Sequence, residues 1–491
     1  MMFQTAALLL AISAAQAPEG PVTLGAEKHL FLDGLLVAHM ENVTRTVHPA
    51  EKFEGNPVLW PEEEWEGTKA IVYGSVLRDG DTYRMWYHHG AGVAYAESAD
   101  GIAWTKPALG LFKVDGHDTN IVIRREPEEG DPSVLPYFYE LFGVHKAHDG
   151  QYVMGYLSIQ RDYEGPRQDP FHGRQRRGLG VATSPDGIHW TLADSWATEA
   201  ICDGGTHWMF DPKRDCYVLY GRTKFIAPGL KEAWVLSPWV DKYFWGRSVA
   251  CVESPDFLEW DFRDPKTAPV VMTADVYDTP GDEIYSMQVF PYESVYIGLV
   301  QVFHNQPDAC HLDIQLAVSH DGVAFTRVGQ REAFIPCGGV GTWDRFNNSV
   351  ANNPPIPVGD ELRFYYGGRT YRHGPYNGPD QGQPGGGIGF ATIKRDRFVS
   401  LGASFEGGVI ETVPLRFDGA TLHLNAQSAF GQILIEAVEG TGDTAKVIAQ
   451  STPIRADGLD IPVTWAEGSL PDNAILRITL NNARLFAIWC E

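Results

Sequence analysis

The chain has 491 residues, 44% hydrophobic and 12% aromatic, which is enough for one or two large cores and too apolar for a disordered protein. Its 39 Lys and Arg against 63 Asp and Glu leave a net charge of −24, which repels nucleic acid and anionic membrane surfaces. With 52 Gly, 32 Pro, 14 Trp, 20 Tyr and 24 Phe, the composition predicts tight turns between aromatic strands and excludes a helical bundle.

Residues 1–17 carry an apolar run from Ala6 to Ala15 and end in the small-x-small pattern Ala15-Gln16-Ala17, which reads as a secretory leader cut after Ala17. The run is too short to span a bilayer and no later segment is long enough. A secreted or periplasmic protein without a membrane span is expected. Cys202, Cys216, Cys251, Cys310, Cys337 and Cys490 form no C-x-x-C pair, so a zinc cage is not indicated. Cys202 with Cys216 would close a small loop if oxidised; buried thiols are the other reading.

An internal repeat sets the fold. Residues 95–107 (YAESADGIAWTKP), 181–193 (VATSPDGIHWTLA), 251–263 (CVESPDFLEWDFR) and 316–328 (LAVSHDGVAFTRV) share a Ser-x-Asp-Gly-x-x-Trp core, with Phe257 in place of Gly and Phe325 in place of Trp. Aligned on Asp100, Asp186, Asp256 and Asp321, the spacings are 86, 70 and 65 residues, and a worn fifth copy follows at 389–401. Before each copy lies a short aromatic strand, and before that strand a turn signal such as Asp79-Gly80 or Asp149-Gly150. The unit reads as four strands, with the Asp and Gly making a turn and the Trp packing between sheets. Five units predict a five-bladed β-propeller over 18–404, with segment 18–60 packing on the ring or closing it. From 405 to 491 the repeat stops, and alternating apolar segments (TLHLNAQ, QILIEAVEG, AILRITL, RLFAIW) predict a C-terminal β-sandwich. The fold class is therefore all-β.

This pattern, with the entry segment Asn56-Pro57-Val58-Leu59-Trp60-Pro61, resembles the five-bladed glycoside hydrolase superfamily: families 32, 43, 68 and 117, with the family 130 phosphorylases related in fold. Within it the chain is most similar to secreted bacterial proteins with a family 32-type N-terminal domain. The resemblance implies a funnel at the end of the pore where each blade's first strand begins, with carboxyl groups from different blades cleaving a glycosidic bond. It implies a carbohydrate substrate, exo-acting hydrolysis of plant or algal glycans, and no cofactor beyond a structural Ca²⁺ that some members hold. The Asn-Asp-Pro-Asn-Gly and Glu-Cys elements of family 32 are absent, and Arg263-Asp264-Pro265 falls in the wrong blade, which puts fructosidase activity in doubt.

Acids placed just before each aromatic second strand are Glu66, Glu140, Asp203, Asp282 with Glu283, and Asp344. Asp203, Glu283 and Asp344 are the first candidates for the catalytic set, because each has a Gly within three residues and a nearby His, Tyr or Trp of the kind that line sugar pockets. Asp203 and Glu283 form the expected pair and Asp344 the third acid. Glu66, His207, Arg222, Tyr285, His304, Trp343 and Arg369 are candidates to bind the sugar. The basic loop with Arg167, Arg174, Arg176 and Arg177 is where an acidic or sulfated substrate would be held, if it is not a solvated charged loop. Two other functions stay open: a glycoside phosphorylase using Arg222, Arg369, Arg372 and His373 for phosphate, and a non-catalytic carbohydrate-binding propeller. The sequence does not give the oligomeric state.

Overall fold

The computed structural model describes residues 20–90, 92–124, 138–147, 149–160, 163–165, 175–198, 203–258, 260, 268–374, 385–440 and 445–491. The leader, Arg167, Arg174, Cys202 and Arg263-Asp264-Pro265 lie outside them. The chain divides into two units, Pro49–Lys394 and a second made of Met1–His48 with Arg395–Glu491.

Pro49–Lys394 is a β-propeller. Five antiparallel sheets follow one another along the chain, each a meander of four or five strands. The sheets open with Ile71–Asp79, Phe138–Lys146, His207–Asp211, Asp282–Tyr292 and Ser349–Val350. Each sheet packs on the next and the fifth packs back on the first, which closes the ring. The apolar cores lie between neighbouring sheets: Trp86 and Tyr95 meet Tyr152 and Tyr156, and Val218 and Tyr220 meet Met287 and Val300. That is why the strands are apolar on both faces, with no simple alternation.

The repeat motif makes the turn predicted for it. Asp186 Oδ1 accepts the N–H groups of Ile188 (2.9 Å) and His189 (2.8 Å), and Ser184 Oγ accepts that of Gly187 (2.8 Å). Gly187 has φ +79°, a conformation that favours glycine. The turn is also tied to the neighbouring sheet: Trp86 Nε1 donates to Gly187 O at 2.7 Å. Tyr220 and Tyr365 hydroxyls make the same bond to Gly322 O (2.9 Å) and Gly101 O (2.7 Å). The fifth sheet gains its outer strand from the start of the unit, where Glu51–Lys52 pairs with Thr392 and Ala391. This is the part of 18–60 that closes the ring.

The other unit is a sandwich of an eight-stranded and a six-stranded sheet around a single core that includes Ile433, Ile435, Leu476, Ile478, Leu485 and Ile488. Its boundaries differ from those expected. Val399–Ala403 pairs with Ala483–Cys490, so the sandwich starts before 405. Val22–Leu24, His29–Leu30, Val37–Glu41 and Thr44–Val47 also belong to its two sheets, so most of 18–60 is sandwich. These strands are two to five residues long and too short to show a period.

Cys216, Cys251, Cys310, Cys337 and Cys490 are free thiols. Among the described residues no helix is long and apolar enough to cross a membrane, and no group of three or more His, Cys, Asp or Glu is arranged to hold a metal ion.

Candidate active site

The pore is plugged at its centre. Asn352, carried by the loop after Ser349–Val350, donates its N–H to Gly74 O (2.7 Å) and accepts the Ser75 hydroxyl at its carbonyl (2.9 Å). Its side-chain oxygen lies 3.2 Å from His207 Nδ1. Gly143 is bare where it passes this amide, since a Cβ there would stand 2.3 Å from Asn352 Nδ2. Asn352 thus fastens the first three sheets to the fifth, while Gln301 Nε2 donates to Asn348 O (2.8 Å) beside it. His207 belongs to this plug. Burial pushes its pKa down to about 4, so it is neutral and faces Asn352, not a ligand.

At the end where the first strands begin, polar side chains converge from all five sheets. Tyr73 comes from the first and Glu140 from the second; a Cβ on Gly204 would stand 2.9 Å from Glu140 Oε2 and 3.1 Å from Tyr73 Cε2, so both side chains press on the Asp203-Gly204 turn. Asp203 precedes the third sheet, is 29% exposed at its side chain, and accepts Arg222 Nη1 at Oδ2 (2.8 Å). Arg177 Nη1 stands 3.7 Å from the other oxygen. Arg222 also donates to Gly204 O (2.6 Å) and Tyr285 O (3.0 and 3.1 Å) and lies 3.9 Å from the Tyr285 ring centre. Burial opposes its charge, but Asp203 and Tyr285 outweigh that and hold it cationic.

From the fourth sheet, the Tyr285 hydroxyl meets His373 Nε2 at 3.2 Å. Burial, then Arg247, depress the His373 pKa to about 3, so the ring is neutral. Its Nδ1 lies 2.7 Å from Gly374 O, which only accepts, so Nδ1 carries the proton and Nε2 accepts from Tyr285. Burial first, and then Tyr285, push the Tyr73 hydroxyl well above the usual phenol range. The fifth sheet ends in Arg369, whose Cζ lies 5.8 Å from the ring centres of both Tyr73 and Tyr371.

Of the residues singled out from sequence, Asp203, Arg222, Tyr285 and Arg369 come together here. Glu140, Arg177 and His373, also named from sequence, join them, and the remaining candidates are held by partners of their own. Glu283 is fully buried and accepts Trp245 N (2.8 Å), Arg247 N (3.0 Å) and Asn305 Nδ2 (3.3 Å), besides an ion pair with Arg247 Nη1. It is a tether for the insertion 225–246, which carries the helices Leu230–Ala233 and Pro238–Tyr243. Asp344, 3% exposed, accepts Lys52 Nζ (2.5 Å) and the Tyr366 hydroxyl (2.8 Å), so it fastens the closing strand. Trp343 lies 5.4 Å from Tyr366 in the same packing. Glu66 is fully buried against Lys106 Nζ (2.7 Å), the Tyr87 hydroxyl (2.6 Å) and two backbone N–H groups. His304 stands between Asp282 (3.0 Å) and Asp313 (3.3 Å). Glu140 was visible as the second sheet's acid but stands outside the first candidates. Tyr73, in an apolar strand, gives no sequence signal.

No protein-family model matches the chain. The uncharacterized protein Rv1502 of Mycobacterium tuberculosis is 27% identical over 194 residues, 36% of this chain and 56% of that protein, so the match spans about half of its length. Among solved structures, a glycosyl hydrolase from Bacteroides ovatus has a TM-score of 0.45 at 15% identity, covering 72% of this chain and 95% of its own. An N-acetylgalactosamine deacetylase from F. plautii, in complex with blood group B trisaccharide, has a TM-score of 0.42 at 15% identity over 77% and 96%. For a thermostable family-43 glycoside hydrolase the values are 0.41, 14%, 68% and 92%.

Proposed function

We propose that the protein is an exported glycan-cleaving enzyme whose paired carboxyl groups are Glu140 and Asp203. One observation carries this reading: five sheets deliver Tyr73, Glu140, Asp203, Arg222, Tyr285 and Arg369 to one end of a pore whose centre is plugged. Glycoside cleavage needs one carboxyl to protonate the leaving oxygen and another to attack or to activate water. Both acids are partly exposed, unlike Glu283, Asp344 and Glu66, and Arg222 fixes the direction of Asp203. The tyrosines supply flat apolar faces with hydroxyl ends, which suit a sugar ring. A plugged pore supports attack at a chain end, and the leader at 1–17 supports export.

The test is a screen of the wild-type protein against aryl glycosides and oligosaccharides, with and without inorganic phosphate, repeated for Asp203→Asn and Glu140→Gln. Each substitution is expected to lower kcat by about 10² or more. Activity that survives both overturns the assignment, and a sugar phosphate formed only with added phosphate makes the reaction phosphorolysis.

A further inference from the structure

Two cations at the funnel make no ion pair among the described residues, although the charge of Glu140 acts on one of them, Arg369. Lys69 and Arg369 flank one glycine: Gly386 pairs with Arg369 across the fifth sheet and with Lys69 on its other side. A Cβ on Gly386 would stand 3.1 Å from Lys69 Cβ and 3.5 Å from Arg369 Cγ, and Arg369 Cζ lies 5.8 Å from the ring centre of Tyr371. Among the described residues, no carboxylate lies within 4 Å of either. Arg222, by contrast, is committed to Asp203 and two backbone carbonyls. Lys69 and Arg369 are also partly exposed. An unpaired cation in a half-buried site is costly unless a ligand neutralises it. The phenol of Tyr371 responds to the same field: burial raises its pKa, but Arg369 and Lys69 outweigh this and leave it below the usual range.

We propose that Lys69, Arg369 and Tyr371 form an anion subsite that holds the carboxylate of an acidic sugar, so that the substrate is a uronate-containing glycan. This rests on the reading of the funnel as a glycan-cleaving site. The guanidinium fork matches a planar carboxylate, and Lys69 adds a point charge beside it. A singly charged carboxylate fits better than a phosphate dianion, because Glu140 and Asp203 share the funnel and repel a second negative charge. The net charge of −24 does not forbid this, since charges more than about 10 Å away are largely screened at physiological salt.

The experiment is calorimetric titration of the full-length protein with glucuronate, galacturonate, mannuronate and guluronate, with their methyl esters, and with inorganic phosphate. At least one acid is expected to bind at least tenfold tighter than its ester, and to lose at least tenfold in Arg369→Gln and in Lys69→Gln. Arg369→Lys, which keeps the charge without the fork, should fall between, and an unchanged Tm for these variants shows that they fold. Equal binding of acid and ester, undiminished binding in Arg369→Gln, or phosphate binding at this position without any acid sugar overturns the proposal. Uronate binding without turnover of any glycan leaves the subsite standing and removes the enzymatic reading. Cleavage of neutral glycans alone does the reverse.

Discussion

At position 204 there is room for a hydrogen and little else. The backbone of Gly204 is not in the left-handed region, so alanine is permitted there conformationally, but its methyl would meet the Glu140 carboxylate at 2.9 Å. A flexible side chain gives way before the backbone does. Gly204→Ala should therefore keep the fold, with Tm within about 2 °C of wild type, and lower kcat at least tenfold by displacing Glu140. Thermal unfolding and steady-state kinetics on one preparation check both halves. His304 gives a second residue-scale prediction. Burial works against its imidazolium, but a hydrogen bond to Asp282 and the nearby Asp313 carboxylate carry the pKa up to about 10. The free value is about 6.5, so the stabilisation is complete below that pH and is lost as pH rises through 10. His304→Gln should cost roughly 2–3 kcal/mol at pH 6, read as a Tm several degrees lower, and the gap should narrow steadily towards pH 10. A gap that widens with pH would contradict the ion triad. These residues also show why the acids were hard to rank from sequence. An acid with a Gly close by, before an aromatic strand, describes Asp203, which is open, and also Glu283, which accepts two backbone N–H groups and a guanidinium. The difference lies in residues 36 and 38 positions away, Arg247 and Trp245, which no local pattern connects to Glu283.

Among elements, the Asp-Gly turn was legible because its chemistry is local: Ser184, Asp186 and Gly187 satisfy one another within six residues. Its second role was not legible. Trp86, from the preceding sheet, is bonded to the turn through a residue 101 positions distant in sequence. Glycine is needed at 187 for this as well as for its φ, since a Cβ would stand 2.6 Å from Trp86 Cζ2. Gly187→Ala should then cost roughly 2–4 kcal/mol, about 1 for the left-handed backbone and the rest for moving the indole out of a packed core. Trp86→Phe removes one of the two indole hydrogen bonds to Gly187 O, leaving that from Trp190 Nε1 (3.1 Å), together with part of the ring, and should cost about 1–3 kcal/mol. Because both act on one contact, the double variant should cost clearly less than the two single losses together. Urea unfolding of the four proteins measures this, and strict additivity would show that turn and indole are independent.

For the whole molecule, the repeat made the propeller legible and hid the boundary of the second unit. Where the repeat ends, near 401, is not where the sandwich begins, because Val399–Ala403 is already paired within it. The segment before the first blade reads as an extension of the propeller only because it adjoins the propeller in sequence. In space, Leu24, Phe31 and Leu36 are 0%, 1% and 3% exposed within the sandwich core. Each such side chain contributes roughly 2 kcal/mol by burial, and three together approach the stability of a domain this size. A fragment spanning 405–491 should therefore fail to fold, lacking those side chains, the strand Val399–Ala403 and the edge cover of Thr44–Val47. A fragment of 395–491 should stay marginal, and joining 20–48 to it by a flexible linker should restore a cooperative transition. Circular dichroism melts of the three fragments read this directly. A sharp transition in 405–491 alone would mean that the N-terminal strands decorate a core that stands without them, and the contribution assigned to Leu24, Phe31 and Leu36 would then be wrong.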